Sequence, residues 1–174
     1  MKPWKALSTK RIRVNRYRSF LKLRYQLRDG RKRDFYVNDV GAVVCALVLT
    51  PDKKIVLAQQ FRPGPNRILN ELPGGLVEKG ETPRQAVARE VLEETGYQGK
   101  IQFIAKSSND GWSRRVRYHF VVTNAVKIQN HQGDGQEEIE VKLVTLPQFR
   151  KMIHAGNMTD AETAYRGLEH LKLL

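Results

Sequence analysis

Glu90, Glu93 and Glu94 form the cluster in this sequence best suited to chemistry. They lie in a stretch, Pro83 to Thr95, that the spacing of apolar residues predicts as a helix. Thr82 is its N-cap, Pro83 its first residue, Gln85 completes a capping box, and Gly96 follows its end. At about 100° per residue, with Ala86 at zero, the three carboxylates fall near 40°, 340° and 80°, an arc of roughly 100°. Val87, Ala88, Val91 and Leu92 fill the opposing arc, so one face is apolar and the other anionic. Like charges at i,i+4 cost an isolated helix about 0.2–0.5 kcal/mol per pair, so something positive must compensate. Arg89 borders the arc and can pair with one carboxylate, which leaves an excess of negative charge. An oxygen-only cluster of this kind suits a hard cation such as Mg²⁺ or Mn²⁺. Taken alone, three glutamates on a helix also read as a solvated acidic face.

The upstream sequence overturns the solvated reading. Gly75 is followed after five residues by Glu81, and after seven more by Arg89-Glu90-Val91-Leu92-Glu93-Glu94-Thr95-Gly96-Tyr97. This resembles the signature of the Nudix hydrolases, matched over 23 residues at every specified position if Tyr97 counts as the final apolar one. The resemblance implies hydrolysis of a nucleoside diphosphate linked to another group by water attack at phosphorus, with a divalent metal, Mg²⁺ or Mn²⁺. It implies Glu90 and Glu94 as principal metal ligands, Glu93 as a further ligand or a base, and the Gly74 carbonyl as completing the metal site. Arg89 would orient the glutamates and Glu81 would support the turn from loop to helix. Gly75, like Gly74, would let the backbone approach metal and phosphates closely. Such a displacement needs little covalent help from protein but much charge neutralisation, which agrees with these roles.

Gln59-Gln60-Phe61-Arg62-Pro63, Glu71-Leu72-Pro73-Gly74-Gly75, Pro3-Trp4-Lys5 and Gly156 to Thr163 are similar to the ADP-ribose and nucleotide-sugar pyrophosphatase branch of that family. The branch implies a homodimer in which an N-terminal sheet exchanges between subunits and helps hold the nucleotide. By the same resemblance Arg62 would contact the diphosphate or ribose, and Glu137 or Glu138, before the last strand, would serve as general base. Trp112, beside Arg114 and Arg115, would either stack on base and ribose or cap the sheet. One departure stands out: the region Asn109 to Ser113 lacks the proline that the ADP-ribose enzymes commonly carry there. His119, inside a predicted strand, reads as a packing residue, and Cys45 as a small core residue.

The elements that must position these residues follow from pattern. Leu21, Leu23, Tyr25 and Leu27 alternate with Lys22, Arg24, Gln26 and Arg28, a half-buried strand that Asp29-Gly30 turns into a second run, Asp34 to Val37. Val40 to Thr50 shows little alternation, as a strand buried on both faces would, and pairs with Lys54 to Phe61 as a hairpin. Ile101–Lys106, Val116–Val122 and Ile139–Val144 are further predicted strands, and Gln129 to Gln136 a loop. A second helix is expected from Pro147 to Ala155, and a third from Thr159, paired with Glu162 at capping-box spacing, to the chain's end. The expected fold is α/β: a Nudix-type α/β/α sandwich with a mixed sheet, preceded by a small basic antiparallel sheet. The boundary is expected between a basic N-terminal hairpin segment, residues 1–39, and a hydrolase domain, residues 40–174.

Composition bounds the alternatives. The chain has 174 residues, 31 Lys and Arg against 18 Asp and Glu, and net charge +13. Residues 1–40 hold thirteen of the cations and three Asp, a local +10 that attracts polyanions of any kind. One cysteine cannot form an internal disulfide, which suits a reducing cytoplasm. The longest apolar run, Val40 to Leu49, is about half the ~20 residues a membrane helix needs, and no signal peptide is evident. Two other functions fit parts of the sequence: hydrolysis of RNA 5′ ends or dinucleoside polyphosphates, and a non-catalytic nucleotide-sensing or nucleic-acid-binding module. Nucleic acid is thus the second choice of partner, behind a nucleoside diphosphate-linked small molecule.

Overall fold

The alternating strand beside Asp29-Gly30 forms the middle of a three-stranded sheet in the computed structural model of the chain. The structure describes residues 1–15, 18–108, 110–131 and 138–174. It divides into two units, residues 1–42 with 107–117, and residues 43–106 with 118–174. In the first unit β1 (Lys5–Arg13), β2 (Ser19–Gln26) and β3 (Lys32–Asn38) pair antiparallel in that order. Gly30 closes the β2–β3 turn at φ 84°, a left-handed conformation that costs glycine little. No sequence pattern marks β1, because every one of its nine residues is exposed and leaves no burial period to detect. Trp4, Tyr25, Phe35 and Trp112 pack as a run of aromatic rings, with centroids 5.2–6.2 Å apart.

The larger sheet, all but the last residues of β8 and the first of β9 lying in the second unit, has the order β10 (Ile139–Val144), β5 (Ile55–Arg62), β4 (Val43–Leu49), β9 (Val116–Lys127), β8 (Tyr97–Ser108). Two short strands the sequence did not suggest, β6 (Arg67–Glu71) and β7 (Gly74–Leu76), pair with β5 and β4. All seven residues of β4 are buried, as its unalternating pattern predicts, and its side chains divide between two cores. Cys45, Leu47 and Leu49 meet Phe149, Ile153, Ala164 and Leu168, from α2 (Leu146–His154) and α3 (Ala161–His170). Val44, Ala46 and Val48 meet Ala86, Val87 and Val91 from α1 (Pro83–Thr95). A mixed sheet between helical layers is therefore the observed architecture. Each buried Val, Leu, Ile or Phe side chain among these stabilises by about 1.5–3 kcal/mol relative to exposure.

The ends of α1 are as expected: Thr82 and Gln85 form a reciprocal capping box, and Gly96 closes the helix at φ 75°. The start of α3 differs. Asp160 occupies the N-cap without a side-chain cap bond, and the Thr159 hydroxyl donates to its carboxylate at 3.0 Å. With that oxygen facing a neighbouring anion rather than the helix amides, the capping-box spacing goes unused. The helix also stops at His170, where Lys172 takes φ 55°, so it does not reach the chain's end. The predicted loop from Gln129 lies, from residue 132, outside the described residues. Among the described residues no helix is long and apolar enough to cross a membrane.

Candidate functional site

The turn from β7 into α1 is built around contacts that only glycine permits. A Cβ on Gly74 would stand 2.3 Å from the Val44 carbonyl oxygen, and one on Gly75 2.3 Å from Glu90 Oε1. Both positions thus bring backbone against a neighbour that a methyl group would displace, the second neighbour being a carboxylate of the acidic helix face. Glu94 is buried, 8% exposed, and its Oε2 accepts from the Gly74 N–H at 2.9 Å. The loop and the helix are therefore tied at the two glutamates expected to be principal ligands.

Arg89 does more than pair with one carboxylate. Its Nε donates to Glu81 Oε1 at 2.8 Å and its Nη2 to Glu81 Oε2 at 3.1 Å. Nη1 donates to Glu90 Oε1 at 2.9 Å and to Glu93 Oε2 at 3.0 Å, and Nη2 also to the Leu76 carbonyl at 3.1 Å. The helix face alone offers this guanidinium one carboxylate, whereas the folded site gives it three. The loop folds back to bring in Glu81, whose Oε2 accepts from the Glu78 N–H at 3.0 Å. Three carboxylates on one cation still leave net negative charge.

The electrostatics follow from burial. Glu90 is pushed above the ordinary carboxylate range, chiefly by desolvation, against the pull of Arg89. Glu81 is held below that range by its hydrogen bonds from Arg89. Arg89 is raised by its hydrogen bond to Glu81 and by the neighbouring carboxylates, and stays charged. Glu93 is the most open of the set, with 48% of its side chain exposed against 14% for Glu90.

These donors fit a hard divalent cation. Glu90, Glu93, Glu94 and the Gly74 carbonyl offer oxygen only, and a desolvated carboxylate beside other anions gains most from a cation. Among the described residues no three His, Cys, Asp or Glu side chains are gathered around one point. Glu90 and Glu93 turn to Arg89 instead, and Glu94 to Gly74.

Arg62, at the end of β5, meets a residue to which the sequence reading gave no role. Glu71 on β6 is 6% exposed and receives the guanidinium side-on: Nε to Oε1 at 3.0 Å and Nη2 to Oε2 at 2.6 Å. Gln60 Nε2 adds a contact to Glu71 Oε2 at 3.3 Å. Complementary charges at the two ends of a short hairpin were the available signal. Glu138 is exposed and precedes Ile139, which pairs with Gln60, so it stands at the same end of β5 as Arg62. Glu137 lies outside the described residues.

Trp112 and Arg114 belong to the first unit. The Trp112 carbonyl accepts from the Asn38 N–H at 2.8 Å, and the Arg114 N–H donates to the Asn38 carbonyl at 2.9 Å, so this segment caps the edge of β3. The Trp112 ring stacks on Phe35 and remains 60% exposed, and Arg114 is exposed. His119 is buried, with Nδ1 2.8 Å from the Thr163 hydroxyl, in keeping with a packing role.

Comparison with known proteins places these observations. The NUDIX domain family matches residues 40–165. An ADP-ribose pyrophosphatase of Bacillus subtilis (strain 168) is 31% identical over 166 residues, covering 85% of this chain and 89% of that protein. A methanol dehydrogenase activator of Bacillus methanolicus is 29% identical over 140 residues, covering 79% and 75%. A solved structure described as an ADP compounds hydrolase superposes with a TM-score of 0.80 over 100% of this chain and 98% of its own, at 16% identity.

Proposed function

The chain belongs to the Nudix hydrolases, and from that premise we propose that it hydrolyses the diphosphate of ADP-ribose or a related nucleoside diphosphate sugar. The products are a nucleoside monophosphate and a sugar phosphate. The observation that carries this reading is the Arg89 clamp, in which one guanidinium gathers Glu81, Glu90 and Glu93 beside a glycine loop. The kinship with an ADP-ribose pyrophosphatase along 89% of that protein's length supports the choice of substrate.

In this reading Glu90, Glu94 and the Gly74 carbonyl hold the cation, with Glu93 as a further ligand or a base. Bound Mg²⁺ or Mn²⁺ supplies charge neutralisation at the diphosphate and acidifies the attacking water. Gly75 leaves room for Glu90 against the loop. Arg89 fixes the carboxylate positions, so little reorganisation is needed when substrate arrives. Arg62, braced by Glu71, binds the diphosphate or ribose. Water attacks one phosphorus, the bridging P–O bond breaks, and Glu137, Glu138 or Glu93 accepts the water proton. The reaction is assigned to the cytoplasm and to a homodimer, the latter checked by light scattering against the chain mass of 20.0 kDa.

The test is a screen of nucleoside diphosphate sugars, dinucleotides, deoxynucleotides and capped RNA with Mg²⁺ or Mn²⁺, read by product mass. AMP with ribose phosphate from ADP-ribose supports the proposal. Turnover confined to RNA 5′ ends, or no product from any compound, rejects it.

A further inference from the structure

The net charge is confined to one unit. Residues 1–42 and 107–117 contain sixteen Lys and Arg against four Asp, leaving fifteen cations against fourteen carboxylates in the rest of the chain. Within the three-stranded sheet the strand register separates two faces. Leu21, Leu23, Tyr25, Phe35 and Val37 share one face, with Leu21 3% exposed, and Arg11 and Arg33 lie at its margins opposite Leu21 and Tyr25. Their alternates face the other way. Lys10 lies opposite Lys22, Lys22 opposite Tyr36, Arg24 opposite Asp34, and Lys5 and Lys32 flank Gln26.

That outer face carries five cations and one carboxylate. Asp34 is already engaged, 3.0 Å from Lys22 and 3.8 Å from Arg24. Lys10 and Lys22 are direct cross-strand partners, like charges for which this face offers a single carboxylate, Asp34, already shared by Lys22 and Arg24. Tyr36 stands among them 55% exposed, with the Lys22 ammonium 5.9 Å from its ring centroid. An exposed aromatic ring set in a row of cations on an open sheet is the combination that holds a polyanion bearing flat bases.

We propose that the outer face of the β1–β3 sheet, through Lys5, Lys10, Lys22, Arg24, Lys32 and Tyr36, binds single-stranded nucleic acid without reading its sequence. The cations hold the phosphates and Tyr36 stacks a base. A second copy meeting this face head-on with its own would set cations against cations, which leaves a polyanion as the occupant that the charge fits. A small diphosphate is too short: from Lys5 to Lys10 the row spans about 17 Å of strand. Duplexes offer no open base face to Tyr36, and an anionic lipid surface would use the lysines but not the ring-to-base contact.

The experiment uses the full-length protein and a labelled twelve-nucleotide RNA carrying a 5′ hydroxyl, so that no hydrolysable end group is present. Fluorescence anisotropy is read across a salt series. The wild type binds, and log K falls linearly with log salt. Lys10→Glu with Lys22→Glu weakens binding at least tenfold and lowers the salt slope by about 1.4, two contacts at about 0.7 each. The kcat for ADP-ribose is unchanged in that variant. Tyr36→Ala weakens binding by about tenfold while leaving the slope as it was.

Several results overturn the proposal: no RNA binding by the wild type, binding that survives both variants, or a change of oligomeric state in the lysine variant. So does a Tyr36→Ala protein that binds RNA like the wild type while the lysine variant loses anionic vesicles and RNA alike, which would make the face a general polyanion or membrane surface. None of these depends on whether ADP-ribose is the substrate. Failure of the product screen with RNA binding intact would reject the catalytic proposal alone.

Discussion

Gly75 and Glu90 define the residue-scale account, because the space between them is smaller than a methyl group. Gly75→Ala puts a Cβ 2.3 Å from Glu90 Oε1, so the carboxylate must move. The expected result is a kcat at least about 100-fold lower, the cost of roughly an ångström of misplacement at a reacting centre. The far-ultraviolet dichroism should stay unchanged, and a variant with wild-type kcat would contradict the role given to Gly75. Glu81 supplies a pH test whose sign is fixed. Its carboxyl is lowered by Arg89, so the unfolded chain binds more protons as pH falls through that range. The stability it contributes is full above the unfolded value of about 4.3 and disappears as pH drops through the folded value. Glu81→Gln should therefore lower Tm near neutral pH, with the gap to wild type closing below about pH 4. Glu90 acts in the opposite sense, since burial raises its pKa and ionising it costs stability as pH rises.

At the scale of elements, α3 seats directly against β4. A Cβ on Gly167 would meet Leu47 Cδ2 at 2.7 Å and its Cβ at 2.8 Å, in the middle of β4. Gly167→Ala should destabilise by about 1–3 kcal/mol, through overpacking, as a shift of the urea midpoint with the slope unchanged. The sequence disclosed α1 almost to the residue, because cap, Pro and closing Gly agree with its periodicity. It disclosed β4 and β5 because both are buried along most of their length. It did not disclose β7, whose three residues pair with β4 through glycine contact rather than through an apolar pattern. Nor did it disclose Glu71 as the partner of Arg62, since the β5–β6 register sets Glu71 opposite Ala58 and Arg62 opposite Arg67, and only the reach of the side chains joins the two. The acidic face of α1 was legible from angles alone, whereas the reach of Arg89 to Glu81 required the loop geometry.

Across the whole molecule the excess of positive charge is gathered in one unit. Nearly all the net +13 sits in residues 1–42 and 107–117, while the rest of the chain, with its acidic helix face, is close to neutral. The sequence located the first of those segments, but not that residues 107–117 join it, because that association runs through backbone pairing of Asn38 with Trp112 and Arg114. A basic unit raises the local concentration of anionic partners, which serves a nucleotide substrate and a nucleic acid alike. Only the carboxylates proposed to hold a metal distinguish a hydrolase from a module that merely binds. The direct test is AMP release from ADP-ribose with Mg²⁺, wild type against Glu94→Gln, each confirmed folded by its melting curve. The account predicts AMP and ribose phosphate from the wild type and a loss of about 10³-fold in the variant. Undiminished turnover in Glu94→Gln would contradict it.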